Sequence, residues 1–237
     1  MYDTTINQDL FYRIQTAIHI DELDDTQPLQ ICVVETEKVM QLARKPVYGF
    51  VKRLFDLVAG LTALFVLFVP MMFIAIWIRL DSKGPALYTQ ERLGLNGKPF
   101  KMFKFRSMCM DAEKDGPQWA KKTDIRVTRA GRALRKTRLD ELPQLLNIIA
   151  GQMSFVGPRP ERAVFYDIFD TYIHGFRQRL MIKPGLTGLA QANGGYDLRP
   201  EEKIWYDIEY MKKRSVWLDI RLILKTEQIV FNHHGAR

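Results

Sequence analysis

The chain has 237 residues, 47% of them hydrophobic and 26% charged, enough for one ordinary domain with its own core and too little biased sequence for intrinsic disorder. Cys32 and Cys109, its two cysteines, lie far apart and belong to no CxxC or Cys/His cluster, which argues against a disulfide framework or a zinc site and fits a reducing compartment. The net charge of +8 is uneven, because residues 1–44 carry eight acidic against three basic side chains and leave +13 from Lys45 onward, a surplus that attracts phosphates, anionic lipid or nucleic acid.

In chain order, residues 1–46 read as an acidic extension. Residues 57–78 then pass 22 positions without a charge, about 33 Å as a straight helix and long enough to cross a bilayer core. The run begins far from the N-terminus behind acidic residues, so it is not read as a secretory signal peptide. Basic residues flank it on both sides, Lys45, Lys52 and Arg53 before it and Arg79 and Lys83 after it, and the positive-inside rule places both ends in the cytoplasm. Pro70 removes one backbone hydrogen bond and predicts a kink near Val69. A re-entrant helix-break-helix over residues 47–80 satisfies both observations; on these residues alone, a single spanning helix with a tolerated proline stands level with it.

Asp81-Ser82-Lys83-Gly84-Pro85 stops the helix. Residues 86–93 and 100–107 are predicted as two strands of a hairpin turning at Asn96-Gly97. Their period of two puts Lys104 and Arg106 on one face, where a solvated basic edge is the plain alternative to a binding role. Residues 111–127 are polar and loop-rich. Residues 128–136 carry Arg129, Arg132, Arg135 and Lys136 on a predicted short helix. A second helix is predicted to start near Asp140, with Leu142, Leu145, Leu146 and Ile149 at helical spacing, Pro143 in its first turn and Gly151 at its end. Residues 161–180 and 200–231 read as two amphipathic helices, and Trp205, Tyr206, Tyr210 and Trp217 suit either core packing or a membrane interface. His19, His174, His233 and His234 show no metal-ligand spacing.

Three segments carry chemistry. Asp140 and Glu141 stand beside Arg135, Lys136 and Arg138 at the predicted helix start, where free N–H groups and the helix dipole favour anions; Asp140 alone would pass for an N-cap. In Gly157-Pro158-Arg159-Pro160 the prolines hold one guanidinium in place, which suits two-point contact with phosphate. The loop from Lys183 to Gln191, with Gly185, Thr187 and Gly188, reads as a substrate loop in which backbone can approach a ligand.

Taken together, Lys52-Arg53-x-x-Asp56, the proline-broken apolar run, Asp81-Ser-x-Gly-Pro85, Lys104-Phe-Arg-Ser-Met108, Leu139-Asp-Glu-Leu-Pro-Gln144, residues 154–161 and Pro184-Gly-x-Thr-Gly188 occur in the order found in bacterial sugar transferases. From about Tyr48 to the C-terminus the chain resembles a monotopic phosphoglycosyl transferase of the kind that starts capsule or exopolysaccharide synthesis. Two positions depart from the pattern: Val69 stands where serine is common before the proline, and Arg138 where serine often precedes Leu-Asp-Glu.

The resemblance implies an α+β, mainly helical fold. It has a re-entrant membrane helix-break-helix, a β-hairpin and amphipathic interfacial helices around a small cytoplasmic catalytic domain, residues 81–237. Larger relatives carry spanning helices before this unit, where this chain has its acidic extension. The resemblance also implies transfer of a sugar 1-phosphate from a UDP-sugar to polyprenyl (undecaprenyl) phosphate with release of UMP. Asp140 is then the nucleophile that forms a phosphoryl-aspartate, Glu141 a ligand of Mg2+, and Arg159, Arg135 and Lys104 the holders of phosphate. Glucose or galactose is the favoured sugar. The expected place is the bacterial inner membrane, in contact with lipid, with no nucleic acid partner and with homo-oligomerisation left open. A membrane-anchored basic binding protein and an inactive scaffold of a polysaccharide assembly are the competing readings. Neither explains the acidic pair.

Overall fold

A computed structural model describes residues 45–114, 124–173, 175–194 and 198–231. The acidic extension to residue 44, Cys32, the four histidines and the middle of the polar segment 111–127 lie outside the described residues.

The apolar run belongs to one helix, α1, Pro46–Asp81, of 36 residues, about 54 Å long. Pro46 opens it at a position where a missing N–H costs nothing. Helical conformation continues through Pro70, where the sequence predicted a break. A proline deletes only one bond of the ladder, and side chains on both sides of it are pinned to the rest of the protein. Asp56, Gly60, Ala63, Leu67, Met71, Ile74 and Ile78, spaced three and four apart, form the stripe that docks. Ala63 and Leu67 pack on Phe100, Met102, Leu145, Ile148 and Met153. One turn on, Met71, Ile74 and Ile78 meet Phe105, Leu134 and Leu142. The remaining faces are apolar and bare, with Phe65 85%, Phe73 68% and Leu80 82% exposed.

Polar ties fasten both ends of α1. Near its start, the Lys52 ammonium and the Tyr48 hydroxyl both donate to Asp219 Oδ2 at 2.7 Å. Arg53 donates to the carbonyls of Ile148 and Ile149 at 2.8 Å, and Asp56 accepts from the Ser154 hydroxyl and the Phe155 N–H at 3.0 Å. At the far end Arg106, 4% exposed, donates to the Ser82 and Lys83 carbonyls. Arg106 therefore neutralises the negative end of the helix dipole, and it is no solvated edge.

The hairpin forms as predicted. Strands β1 (Leu87–Leu93) and β2 (Pro99–Phe105) pair antiparallel from Leu87 opposite Phe105 to Leu93 opposite Pro99, and the turn holds Asn96 at φ 56° and Gly97 at φ 72°. Helix α2, Arg129–Thr137, starts with its Gly131 N–H on the Thr128 hydroxyl at 2.9 Å and its Ala130 N–H on Asp81 at 3.0 Å. A Cβ at Gly131 would fall 1.9 Å from the Ser107 carbonyl oxygen, so only glycine fits there.

The single helix expected from Asp140 is instead a 3-10 turn, Leu139–Gln144, followed by the short α3, Leu145–Ile149. Arg138 at φ 56° breaks from α2, the turn is tight around Pro143, and Gly151 at φ 79° ends α3 as expected. Strand β3 (Ser154–Val156) pairs in parallel with β4 (Gly185–Thr187).

The two long amphipathic segments are each divided. Helix α4, Ala163–Tyr172, gives way at Gly175, φ 82°, to a 3-10 turn, Phe176–Met181. After the short α5, Leu189–Asn193, helix α6, Pro200–Lys213, ends at Arg214, and α7, Val216–Phe231, starts anew with the Leu218 N–H on the Ser215 hydroxyl at 3.2 Å. Phe165, Tyr166, Phe169, Phe176, Ile204 and Met211 form the largest core. Tyr210 belongs to it, 2% exposed, with its hydroxyl donating to Asp219 at 2.7 Å, whereas Trp205 and Trp217 are 53% and 77% exposed.

Candidate active site

Asp140, Glu141, Lys104, Arg135 and Arg159 line one cavity of about 370 Å3. The sequence scattered them over three segments; the 3-10 turn, β2, α2 and the loop after β3 bring them together. Because residues two apart share a strand face, Lys104 and Arg106 both reach this cavity.

The two carboxylates are treated differently. Glu141 Oε1 accepts from the Lys104 ammonium at 3.0 Å and the Arg159 guanidinium at 2.5 Å. Burial alone would raise its pKa, yet Arg159 and Lys104 hold it well below the usual carboxylate range. Asp140 carries no hydrogen bond or ion pair among the described residues and opens on the cavity. Burial pushes it up to about 6, the charge of Glu141 adds to that, and Lys104, Arg135 and Arg159 oppose it. Asp140 does not cap the turn; Arg138 holds that place. A free carboxylate beside a clamped one, in a pocket rich in cations, can attack an electrophilic phosphorus whose anionic oxygens the cations hold.

Arg159 is placed from behind. The Arg179 guanidinium, 1% exposed, donates to the Arg159 carbonyl at 3.2 Å and to Asp207 at 2.8 Å, while Gly185 N–H donates to the Pro158 carbonyl at 2.9 Å. On the other side Arg92 donates to the Pro160 carbonyl at 3.3 Å and to Glu161 at 3.1 Å. The loop from Lys183 to Gln191 has a different role from the one expected. It contributes no residue to this cavity. A Cβ at Gly185 or Gly188 would fall 2.1 or 2.2 Å from backbone atoms of Gly157, so those glycines permit contact between chain segments and support the Arg159 loop.

Residues 47–233 match the family model described as bacterial sugar transferase. The chain belongs to the bacterial sugar transferase family. It is 38% identical over 225 residues to the UDP-N-acetylgalactosamine-undecaprenyl-phosphate N-acetylgalactosaminephosphotransferase of Aeromonas hydrophila, covering 92% of this chain and 53% of that one. To the UDP-glucose:undecaprenyl-phosphate glucose-1-phosphate transferase of Xanthomonas campestris pv. campestris it is 43% identical over 191 residues, 78% of this chain and 40% of that one. The undecaprenyl-phosphate galactose phosphotransferase of Salmonella typhimurium is 38% identical over 203 residues, 79% of this chain and 42% of its own. The chain thus spans about half, or less, of the length of these relatives. The family match covers α1 together with the whole cavity.

Several cavity residues were not singled out in the sequence of this family member: Tyr88, Gln90 and Arg92 on β1, Glu113, and Arg162. The alternation of β1 could have pointed to the first three. Nothing local marked Arg179, since an arginine in an amphipathic stretch reads as solvated.

Proposed function

We propose that this protein transfers a sugar 1-phosphate from a UDP-sugar to polyprenyl phosphate, releasing UMP, as the first membrane step of exopolysaccharide or capsule synthesis. The observation that carries the reading is Asp140, without a hydrogen bond or ion pair among the described residues, next to the doubly paired Glu141 in a cation-lined cavity. The relatives' names, each joining a sugar phosphotransferase to undecaprenyl phosphate, support it. Those names divide among N-acetylgalactosamine, glucose and galactose, so the preference for a plain hexose rests on the resemblance to exopolysaccharide enzymes.

In the first half-reaction an Asp140 oxygen bonds to the β-phosphorus, the bridging P–O bond breaks, and UMP leaves with the electron pair. In the second, an oxygen of polyprenyl phosphate bonds to the same phosphorus and the Asp140 carboxylate departs. Arg159, Arg135 and Lys104 hold the phosphate oxygens, with Arg159 the best suited because its loop is fixed on two sides. Phosphate oxygens can replace Glu141 as partners of Lys104 and Arg159, which frees the Glu141 carboxylate.

Two carboxylates and a diphosphate offer hard oxygen ligands of the kind magnesium takes. Among the described residues no group of three or more acidic, histidine or cysteine side chains is placed to hold a metal ion. Glu141 is the residue that would hold it. Bound magnesium supplies neutralisation of the charge on the diphosphate.

The seat of the reaction is the cytoplasmic face of the inner membrane, with both ends of α1 on that side and the helix re-entering by a bend at Pro70, where a backbone hydrogen bond is missing without a break in helical conformation. Support comes from its two ends, which are tied to the same body, while its outer faces are apolar and bare.

A covalent route makes the first half-reaction independent of the lipid. Protein, magnesium and UDP-sugar alone should exchange labelled UMP into UDP-sugar, and one sugar phosphate should be trapped on Asp140. Asp140→Asn keeps the shape but loses the nucleophile, so exchange and adduct should both vanish without unfolding; sustained exchange by that variant rules the assignment out.

A further inference from the structure

Alternation along β1 puts Tyr88, Gln90 and Arg92 on one face, and Tyr88, Gln90 and Glu113 all line the cavity. Tyr88 lies directly across from Lys104 in the hairpin. Directly opposed residues hold their Cβ atoms about 5 Å apart, so Tyr88 stands beside the side chain that pairs with Glu141. From there a chain of hydrogen bonds runs along the wall. Gln90 Nε2 donates to the Tyr88 hydroxyl at 3.3 Å and to Glu113 Oε1 at 3.1 Å. Arg92 donates to Gln90 Oε1 at 2.5 Å, and Arg162 to Glu113 Oε1 at 2.9 Å. The bond from Arg92 decides which end of the Gln90 amide is which, because a guanidinium only donates. The carbonyl faces Arg92 and the NH2 faces Tyr88 and Glu113. The phosphate chemistry above uses none of Tyr88, Gln90 and Glu113.

We propose that Tyr88, Gln90 and Glu113 form the subsite that holds the hydroxyl groups of the transferred sugar and thereby select which UDP-sugar is used. The inference rests on the proposed reaction at Asp140. Two considerations assign the row to the sugar. In a UDP-sugar the hexose is joined to the attacked phosphorus through a single oxygen, whereas the base lies beyond a second phosphate and a ribose; a row that starts beside Lys104 is within reach of the nearer group. Chemically, a hydroxyl both donates and accepts, so it can take the place of either partner in the bonds of Gln90 to Tyr88 and Glu113, in a row that holds an amide donor, a carboxylate acceptor and a phenol that does both. A phosphate would be repelled by Glu113. The row is also open: the Glu113 side chain is 38% accessible and Tyr88 is 39% exposed, so a ligand reaches it without displacing core.

The test uses the full chain in detergent with polyprenyl phosphate, reading UMP release from UDP-glucose, UDP-galactose and their two N-acetylated counterparts. Gln90→Ala and Glu113→Gln should lower kcat/KM for the preferred donor by about 10- to 100-fold and narrow the ratios between donors. Inhibition by UMP, which lacks the sugar, should be unchanged. Gln90→Glu, which keeps the size but loses the amide donor, should also alter the order of preference, and thermal unfolding should match the parent for all three. Unchanged donor ratios in every variant overturn the subsite. So does a loss of UMP affinity in step with the loss of donor, which would assign the row to uridine. A parent that releases UMP from no UDP-sugar refutes the proposed reaction itself, a result distinct from either.

Discussion

Asp140 and Glu141 are adjacent in sequence, and both are nearly covered, yet only one is committed to partners. Lys104 and Arg159 converge on a single oxygen of Glu141, and their removal should be felt more in turnover than in folding. Arg159→Ala is expected to lower kcat by about 10²- to 10³-fold and to lower the thermal midpoint as well, because it takes one of two cations from the buried Glu141. Arg159→Lys should recover part of that, since an ammonium gives a point charge in place of a planar fork; parental activity in Arg159→Ala would remove it from the site. Arg179 is the opposite case. Its ion pair with Asp207 is buried on both sides, each side chain 1% accessible, so Arg179→Met should cost about 3–5 kcal/mol by stranding the partner's charge. Arg179→Met with Asp207→Leu should return much of it in denaturant titrations. The five residues named from sequence meet in one cavity; the resemblance to sugar transferases gave them their roles, and Lys104 by itself read as a solvated strand edge. Arg179 acts through tertiary contacts, and no neighbour in sequence announces them.

Among the elements, short-range chemistry was easier to read than segmentation. Asn96-Gly97 specifies a hairpin turn by its backbone preferences alone, and the hairpin is where it was expected. By contrast, helical periodicity carries across a break of two or three residues, which is why 161–180 and 200–231 each read as one helix. Gly175 and Ser215 were the available marks, a left-handed glycine and a capping hydroxyl. The loop from Lys183 was misread for a related reason: glycines that let a backbone approach a ligand also let it approach another backbone. A direct check is Gly131→Ala, whose new methyl carbon would meet the Ser107 carbonyl oxygen at 1.9 Å. Overpacking costs about 1–3 kcal/mol where side chains can yield, and here the obstacle is main chain, so a fall in the denaturation midpoint is expected. Unaltered stability would mean that α2 does not lie against residue 107.

For the whole molecule, the decisive relation is that of α1 to everything else. Lys45 donates to the carbonyls of Lys212 and Arg214 at 3.2 Å, while Asp81 accepts from Ala130 at 3.0 Å, so both ends of the helix meet the same body. Single cysteines near residues 20 and 115, in a background lacking Cys32 and Cys109, should therefore both be labelled only from the cytoplasmic side. Labelling of the first from the opposite side would establish a spanning helix. Pro70→Leu restores the missing N–H and should shift some of the population toward spanning.

The docked stripe of α1 also makes the helix a ruler. Its contacts at Asp56, Gly60, Leu67, Met71 and Ile78 share one register, and adding a single residue before Gly60 would turn everything preceding it by about 100° and detach Asp56 from Ser154. Arg106 closes the end of that helix and also lines the cavity, so the position of the helix and the position of Asp140 cannot vary separately. Under the proposed reaction the acceptor's phosphate must then rise to one fixed level while its tail stays in hydrocarbon, a level set by the count of residues along α1.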